Sequence, residues 1–349
     1  MDKKKWINQI QRTGRNIKGG KRIFALLLVF SAVFLFGCAA ADSGNQKEAK
    51  KGDEKKLKVV TTIFPQYDFV REIAGDRVNL KMLLKPGEES HSYEPTPKDI
   101  IDIQNCDLFI YVGGENDAWV EDILDSMDAG SRKTLRLVDC VETVEEEHVE
   151  GMKEERSVEE LHGTGEEEQA EIDEHVWTSP QNAVKIVENL TTLLCQEDPK
   201  GADQYRQSAE AYERKLEKLD EQFRKVVKES PRKELLFGDR FPFRYFVDEY
   251  SLNYYAAFPG CASDTEPSAA TMAYLINKVK KEHIPVVLKM ELSNDNIAQA
   301  IAEATGAKVK VFYSCHNITA EQFKEHTTYL SLMEQNVETL KEALSDGTD

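Results

Sequence analysis

Along this chain the apolar positions switch repeatedly between two periods. Short β-rich runs cover Leu57–Ile63, Val78–Leu84, Asp107–Val112 and Thr134–Val138, and helical spacing between them predicts helices near Pro65–Ala74, Pro97–Gln104 and Asp117–Met127. Pro65 and Pro97 suit a first helical turn, where the missing N–H costs nothing. A second alternating set follows: strands at Glu234–Phe237, Asn253–Ala257, Pro285–Met290 and Lys308–Tyr313, with helices near Pro242–Tyr250, Ser268–Glu282, Asn294–Ala304 and Ala320–Leu344. Strand–helix alternation is the pattern of a parallel sheet covered by helices. The expected fold class is therefore α/β, with two lobes of related architecture spanning 57–200 and 231–349, each a mainly parallel sheet with flanking helices.

Ala202–Ser230 lies between the two sets. Tyr205, Ala209, Tyr212, Leu216, Leu219, Phe223 and Val226 recur there at steps of three and four. One amphipathic helix of about 28 residues, some 40 Å long at 1.5 Å per residue, is the prediction for 201–230. A rod of that length can run along both lobes as a spine, and it would limit their relative motion.

The alternation fails in two places. Near the start, eight Lys or Arg residues and one Asp precede or flank an apolar run from Ile23 to Gly37 that ends at Cys38. This reads as an export signal over 1–37, because the run falls short of the roughly 20 residues a stable membrane span requires. Lipidation of Cys38 would tether the mature chain to the outer face of a bacterial cytoplasmic membrane, on the periplasmic side if the cell has an outer membrane. Residues 38–56, polar and without a large apolar side chain after Cys38, form the expected flexible stalk. The second break is Glu142–Glu174, where 15 of 33 residues are Asp or Glu and two are basic, with His148 and His162 embedded. Like-charge repulsion predicts a mobile surface loop. It is either a solvated insertion or a weak cation collector.

Loss of 1–37, with its net +7, would take the formal charge from −18 to −25. Such a surface argues against nucleic acid and anionic membrane as electrostatic partners. It suits a cation ligand, and equally serves solubility. Of six cysteines, five follow Cys38, namely Cys106, Cys140, Cys195, Cys261 and Cys315, so at least one thiol has no partner within the mature chain.

Two histidines carry the candidate chemistry. His91 lies in the run Gly87–Pro97 after the strand Val78–Leu84, and loops at the carboxyl ends of parallel strands are where open α/β sheets bind ligands. Glu94 is placed to orient its imidazole. His175 follows Asp173 and Glu174 at the end of the acidic segment and precedes Val176–Trp177.

The order of these segments, "KPGEESHSYEPTPKDI", "DLFIYVGGENDAWVEDIL", the acidic insertion, "DEHVWTSP", the spine helix, "FPFRYFVDEYSLNYYA" and "EPSAATMAYLINKVKKE", resembles the zinc- and manganese-binding solute-binding lipoproteins of bacterial ABC importers, the ZnuA- and TroA-like family. The resemblance covers nearly all of Leu57–Leu344. It implies a metal site in the inter-lobe cleft with His91 and His175 as ligands, a membrane permease with its cytoplasmic ATPase as partner, and no enzymatic activity. A monomer is expected.

In the second lobe the chain departs from the family pattern. Arg240, a permanent cation that cannot coordinate metal, stands where a ligand is usual. Asp239 beside it either supplies an oxygen or pairs with Arg240. The family's last ligand position aligns with Cys315, which makes His316 the best replacement ligand. Cys315 is either a thiolate ligand or the disulfide partner of Cys261. Glu291 is read as an outer-sphere residue or as the ionic partner of Arg240. A site of His91, His175 and His316, completed by Asp239, Cys315 or water, suits Zn²⁺, since Mn²⁺ prefers more oxygen. Mn²⁺ capture and a surface adhesin are the alternative functions. A zinc enzyme is disfavoured by the lack of a His–Glu–x–x–His, Gly–x–Ser–x–Gly or phosphate-loop motif.

Overall fold

The computed structural model describes residues 56–89, 93–114, 117–127, 130–152, 171–260, 262 and 266–347. The signal, Cys38 and the stalk as far as residue 55 lie outside them, as do His91 and Cys261.

Strands β1 (Leu57–Thr61), β2 (Val78–Met82), β3 (Leu108–Tyr111) and β4 (Lys133–Arg136) form one sheet in the order β2-β1-β3-β4. Strands β5 (Glu234–Phe241), β6 (Asn253–Pro259), β7 (Val286–Lys289) and β8 (Lys308–Val311) form a second, in the corresponding order β6-β5-β7-β8. All pairings are parallel. The expected two-lobed α/β fold is thus present. In each sheet the chain reverses its direction of winding beside the first strand, and the crevice at the carboxyl ends there is the natural ligand position.

Period-two alternation decides which way each strand faces. In β1 and β3, Val59, Leu108 and Ile110 enter the main core, whereas Val60, Phe109 and Tyr111 face a smaller cluster with Ile103 and Val120. In β5, Leu235 and Phe237 turn to the same main core, and Leu236 packs outward with Leu275, Val287 and Ile301. The inner faces of both sheets therefore share one core.

The predicted spine is α5 (Ala202–Glu229), 28 residues long. Tyr205, Ala209, Tyr212, Leu216, Leu219 and Phe223 are all buried along one stripe. That stripe packs against α1 (Phe64–Ala74) and α4 (Pro180–Glu197) from the first lobe and against α6 (Arg244–Tyr250) and α10 (Tyr329–Ala343) from the second. The helices α2 (Pro97–Gln104), α3 (Ala118–Ser126), α7 (Ala269–Glu282) and α8 (Asn296–Thr305) cover the outer faces. Among the described residues no helix is long and apolar enough to cross a membrane.

Three expectations are corrected. The helix expected over Ala320–Leu344 is two, α9 (Ala320–Lys324) and α10. The break holds His326 at φ +57°, and Thr328 caps α10 by accepting from Ser331 N. Second, β5 runs on to Phe241 through a register shift between Phe237 and Arg240. Third, the acidic segment is not mobile loop from its first residue. Glu145 bridges Ile172, Glu146 N donates to Glu171 O at 2.8 Å, Asp173 N donates to Val144 O at 2.9 Å and Met152 is buried. Its two ends form a short antiparallel stem, while 153–170 lie outside the described residues.

The α9–α10 break also joins the lobes. Asp68 of α1 accepts from Tyr329 N at 2.6 Å, and Arg71 pairs with Asp68 and donates to Thr327 O at 3.0 Å. Burial raises the Asp68 carboxyl to about 6, with Arg71 pulling the other way. A carboxyl raised in the folded state contributes stability that is full below its unfolded value of about 3.9 and is lost as pH climbs through about 6. Asp68→Asn should accordingly gain on the wild type by about 2–3 kcal/mol between pH 4 and pH 7. Urea unfolding at stepped pH reads this, and parallel stability curves for the two proteins would refute it.

Candidate metal centre

His175 and His316 come from different lobes and meet. Their ring centroids are 4.8 Å apart at an interplanar angle of 76°. His175 sits just after the acidic stem and is fully buried. His316 lies in the loop after β8, with its carbonyl accepting from Phe64 N at the start of α1 at 3.2 Å.

Each imidazole is held through Nδ1 by the residue two positions earlier. His175 Nδ1 meets Asp173 Oδ1 at 2.9 Å, and the same oxygen accepts from His175 N at 2.8 Å. His316 Nδ1 meets Ser314 Oγ at 2.9 Å. Ser314 in turn donates from Oγ and N to the two oxygens of Glu291, at 2.8 and 2.7 Å. An ionised carboxylate, or a hydroxyl already donating to one, accepts from the ring, so with Asp173 and Glu291 ionised Nδ1 carries a proton and Nε2 is the nitrogen that can bind a metal, in place of any proton it holds. Burial works against a charged His175, but Asp173, with Glu174 and Glu146, outweighs it and raises its pKa. Burial pushes the Glu291 carboxyl up to about 7 although the Ser314 hydrogen bonds favour its ionised form.

Trp177 locks the pair. Its ring lies 5.6 Å from His175 and 4.9 Å from His316, its Nε1 donates to Ser314 O at 2.8 Å, and Tyr329 donates to its carbonyl at 2.7 Å. Tyr245, from the second lobe, donates to Asp173 O at 2.7 Å. A cleft bounded by Ile63, Tyr93, Trp119, Glu174 and Trp177 leads to His316, and a second opening beyond it is edged by Glu88, Glu89 and Glu291. In the first, Asp117 accepts from Val112 N at 2.7 Å and Gly113 N at 3.2 Å, and burial, reinforced by Glu174, raises its carboxyl to about 7.

Other candidates are placed elsewhere. Asp239 is committed to structure: Oδ1 accepts from Arg240 N at 2.9 Å, and Oδ2 accepts from Met290 N at 2.9 Å and from the Ser293 hydroxyl. Arg240 pairs with Glu89 rather than Glu291. Cys315 is a free cysteine, and Cys261, named as its alternative disulfide partner, lies outside the described residues. At φ +62° Cys315 is fully buried in the main core, and burial raises its thiol well above the usual range. Glu94 is exposed, and the imidazole it was expected to orient lies outside the described residues. Among the described residues no three His, Cys, Asp or Glu side chains stand close enough together to hold a metal ion.

The sequence reading passed over Ser314, Trp177 and Gly260. An acceptor two residues before each histidine was visible in both segments and would have flagged Ser314. Gly260 carried no signal; it matters because a Cβ there would stand 3.0 Å from His175 Cε1 and 2.9 Å from Phe241 O.

The paired sheets, the spine and a cleft between strand ends that opens on His316 define a two-lobed solute-binding protein. The profile of the family described as "Zinc-uptake complex component A periplasmic" matches residues 59–343, and the chain belongs to that family. It is 34% identical over 322 residues to the high-affinity zinc uptake system protein ZnuA of Bacillus subtilis, covering 91% of this chain and 97% of that one. It is 33% identical over 328 residues to the zinc-binding lipoprotein AdcA of Streptococcus pneumoniae, covering 92% of this chain and 61% of that longer protein. Among solved structures, the Zn(II)-bound ZnuA-like domain of S. pneumoniae AdcA superposes with a TM-score of 0.67 at 31% identity, over 83% of this chain and 99% of that domain. The metal-dependent lipoprotein YcdH of B. subtilis gives 0.69 at 30% identity, over 83% and 100%.

Gly260→Ala should press on the His175 ring. Overpacking of this kind costs about 1–3 kcal/mol, so metal affinity is expected to fall about tenfold. Competition against a chromophoric chelator measures it; wild-type affinity would mean that the backbone at 260 does not constrain the imidazole.

Proposed function

We propose that this chain captures Zn²⁺ outside the cell and delivers it to a membrane permease driven by a cytoplasmic ATPase. The observation that carries the reading is the meeting of His175 and His316 from opposite lobes, each with Nδ1 engaged and Nε2 in the coordinating tautomer. His91 is the third ligand in this proposal and water the fourth. Residues on both sides of His91 support it: Glu89 and Tyr93 edge the two openings that meet at His316. Three neutral imidazoles favour a borderline cation such as Zn²⁺ over the harder Mn²⁺. Membership of a zinc-uptake family agrees with that choice.

Binding across a cleft makes occupancy and lobe closure one equilibrium. A metal held by ligands from both lobes favours the closed arrangement, and a permease that binds the open one draws the metal out. In the same proposal residues 1–37 direct export, lipidated Cys38 holds the mature chain at the outer membrane face, and residues 38–56 act as its stalk.

Isothermal titration of the purified mature chain should give tighter binding of Zn²⁺ than of Mn²⁺ at neutral pH. His316→Ala should weaken zinc binding more than roughly a hundredfold, and Asp173→Ala, which only releases the His175 ring, by roughly 10- to 100-fold. Tighter Mn²⁺ binding would overturn the metal assignment, and an unaffected His316→Ala protein would remove that residue from the site.

A further inference from the structure

Arg240 occupies a position where metal ligands are otherwise found, yet it is directed at a different target. Its Nη2 lies 3.1 Å from Glu89 Oε1, and its side chain is 14% exposed. Its Nη1 reaches Ala262 O at 3.5 Å. The backbone that carries it is pinned, because Asp239 accepts from Arg240 N and ties that strand end to Met290 N and Ser293. Arg240 is therefore a cation on a rigid mount in the second lobe, and Glu89 belongs to the first.

The segment carrying Glu89 is docked on the second lobe at three further points. Gly87 N donates to Ile318 O at 2.8 Å, and Asn317 Nδ2 donates to Lys85 O at 2.7 Å and to Glu88 O at 2.8 Å. Gly87 takes φ +87°, a turn that only glycine enters without strain and that presents its N–H to Ile318. Asn317 and Ile318 directly follow His316. One stretch of the second lobe thus supplies a candidate ligand and two anchors for residues 85–89, and Arg240 adds the charged anchor from the other side.

We propose that Arg240 is a positioning residue: its ion pair with Glu89 latches residues 85–89, the approach to His91, onto the second lobe and slows metal release. The idea rests on the reading of His175 and His316 as ligands from opposite lobes. Arg240 contributes nothing to coordination. It acts through the lobe seam, because any opening that separates His175 from His316 also has to break the Arg240–Glu89 pair and the bonds of Asn317. The guanidinium additionally neutralises Glu89, a carboxylate at the edge of the opening beside His316. The guanidinium is largely buried and the Glu89 side chain is 41% exposed, so the pair is partly screened and supports no more than a several-fold effect on the opening rate.

The test compares wild type with Arg240→Gln, Glu89→Gln, and the exchange of both charges, Arg240→Glu with Glu89→Arg. Stopped-flow transfer of Zn²⁺ to excess chelator should be about fivefold faster for each single variant, with no additional gain in the double Gln variant. The charge exchange should recover most of the slow release, which a merely structural role for Arg240 would not allow. In the metal-free protein, hydrogen exchange over residues 85–89 should rise in the single variants and fall again in the exchange variant. Unchanged release, or single effects that simply add, would overturn the latch. Failure of the wild type to bind Zn²⁺ would instead overturn the functional reading, and the exchange of amide hydrogens would still report on the latch.

Discussion

The apolar stripe of α5 is the constraint on which the rest of the molecule depends. Tyr205, Tyr212, Leu216, Leu219 and Phe223 are buried against helices of both lobes at once. Val59 and Leu108 from one sheet and Leu235, Phe237 and Phe312 from the other lobe consequently enter one core. Each large apolar side chain buried there is worth about 1.5–3 kcal/mol, so pulling the lobes bodily apart would expose far more surface than a bound ion could offset. Relative motion is left to the seam at the strand ends, where the lobes meet largely through polar contacts such as Phe64 N to His316 O, Gly87 N to Ile318 O, Trp177 Nε1 to Ser314 O, Asn317 Nδ2 to Lys85 O and the Arg240–Glu89 pair.

Along that seam one device appears twice. An acceptor two residues before a histidine takes its Nδ1 proton, and the ring is left in the tautomer that coordinates. The two copies differ in charge. Asp173 acts on His175 directly, whereas Glu291 acts on His316 through the Ser314 hydroxyl. Trp177 packs against both rings and fastens the two lobes by its indole N–H, so a single buried side chain sets the angle between the imidazoles. Cys315, between Ser314 and His316, turns the opposite way into the core.

Much of this was legible beforehand because local patterns carry it. Eight strands and the spine were placed to within a few residues by period alone, and α2 matched to the residue, since Thr96 and Pro97 start that helix with their own chemistry. The misjudged elements all answer to distant partners. The break between α9 and α10 is completed by Asp68 and Arg71, more than 250 positions away. The acidic segment looked uniformly repulsive, yet its ends pair with each other, and Tyr245 supports them from the second lobe. Charge counting treats those residues as solvated, and a neighbouring aromatic face changes that.

Residue order alone settled the two α/β units and the spine between them, because hydrophobic period and strand-end position are properties of neighbouring residues; of the two histidines it singled out, His175 is found beside His316, and His91 lies outside the described residues. Tertiary structure decided the fate of everything whose alternatives were chemically equal in one dimension. Asp239 could bind a metal or pair with the Arg240 side chain, and instead Met290 N and Ser293 take one of its oxygens and Arg240 N the other. Cys315 could bridge, ligate or pack, and it packs. Arg240 could meet Glu291 or another carboxylate, and it meets Glu89. Each of these outcomes depends on which groups come within about 3 Å once the sheets share a core, a quantity that no spacing along the chain encodes.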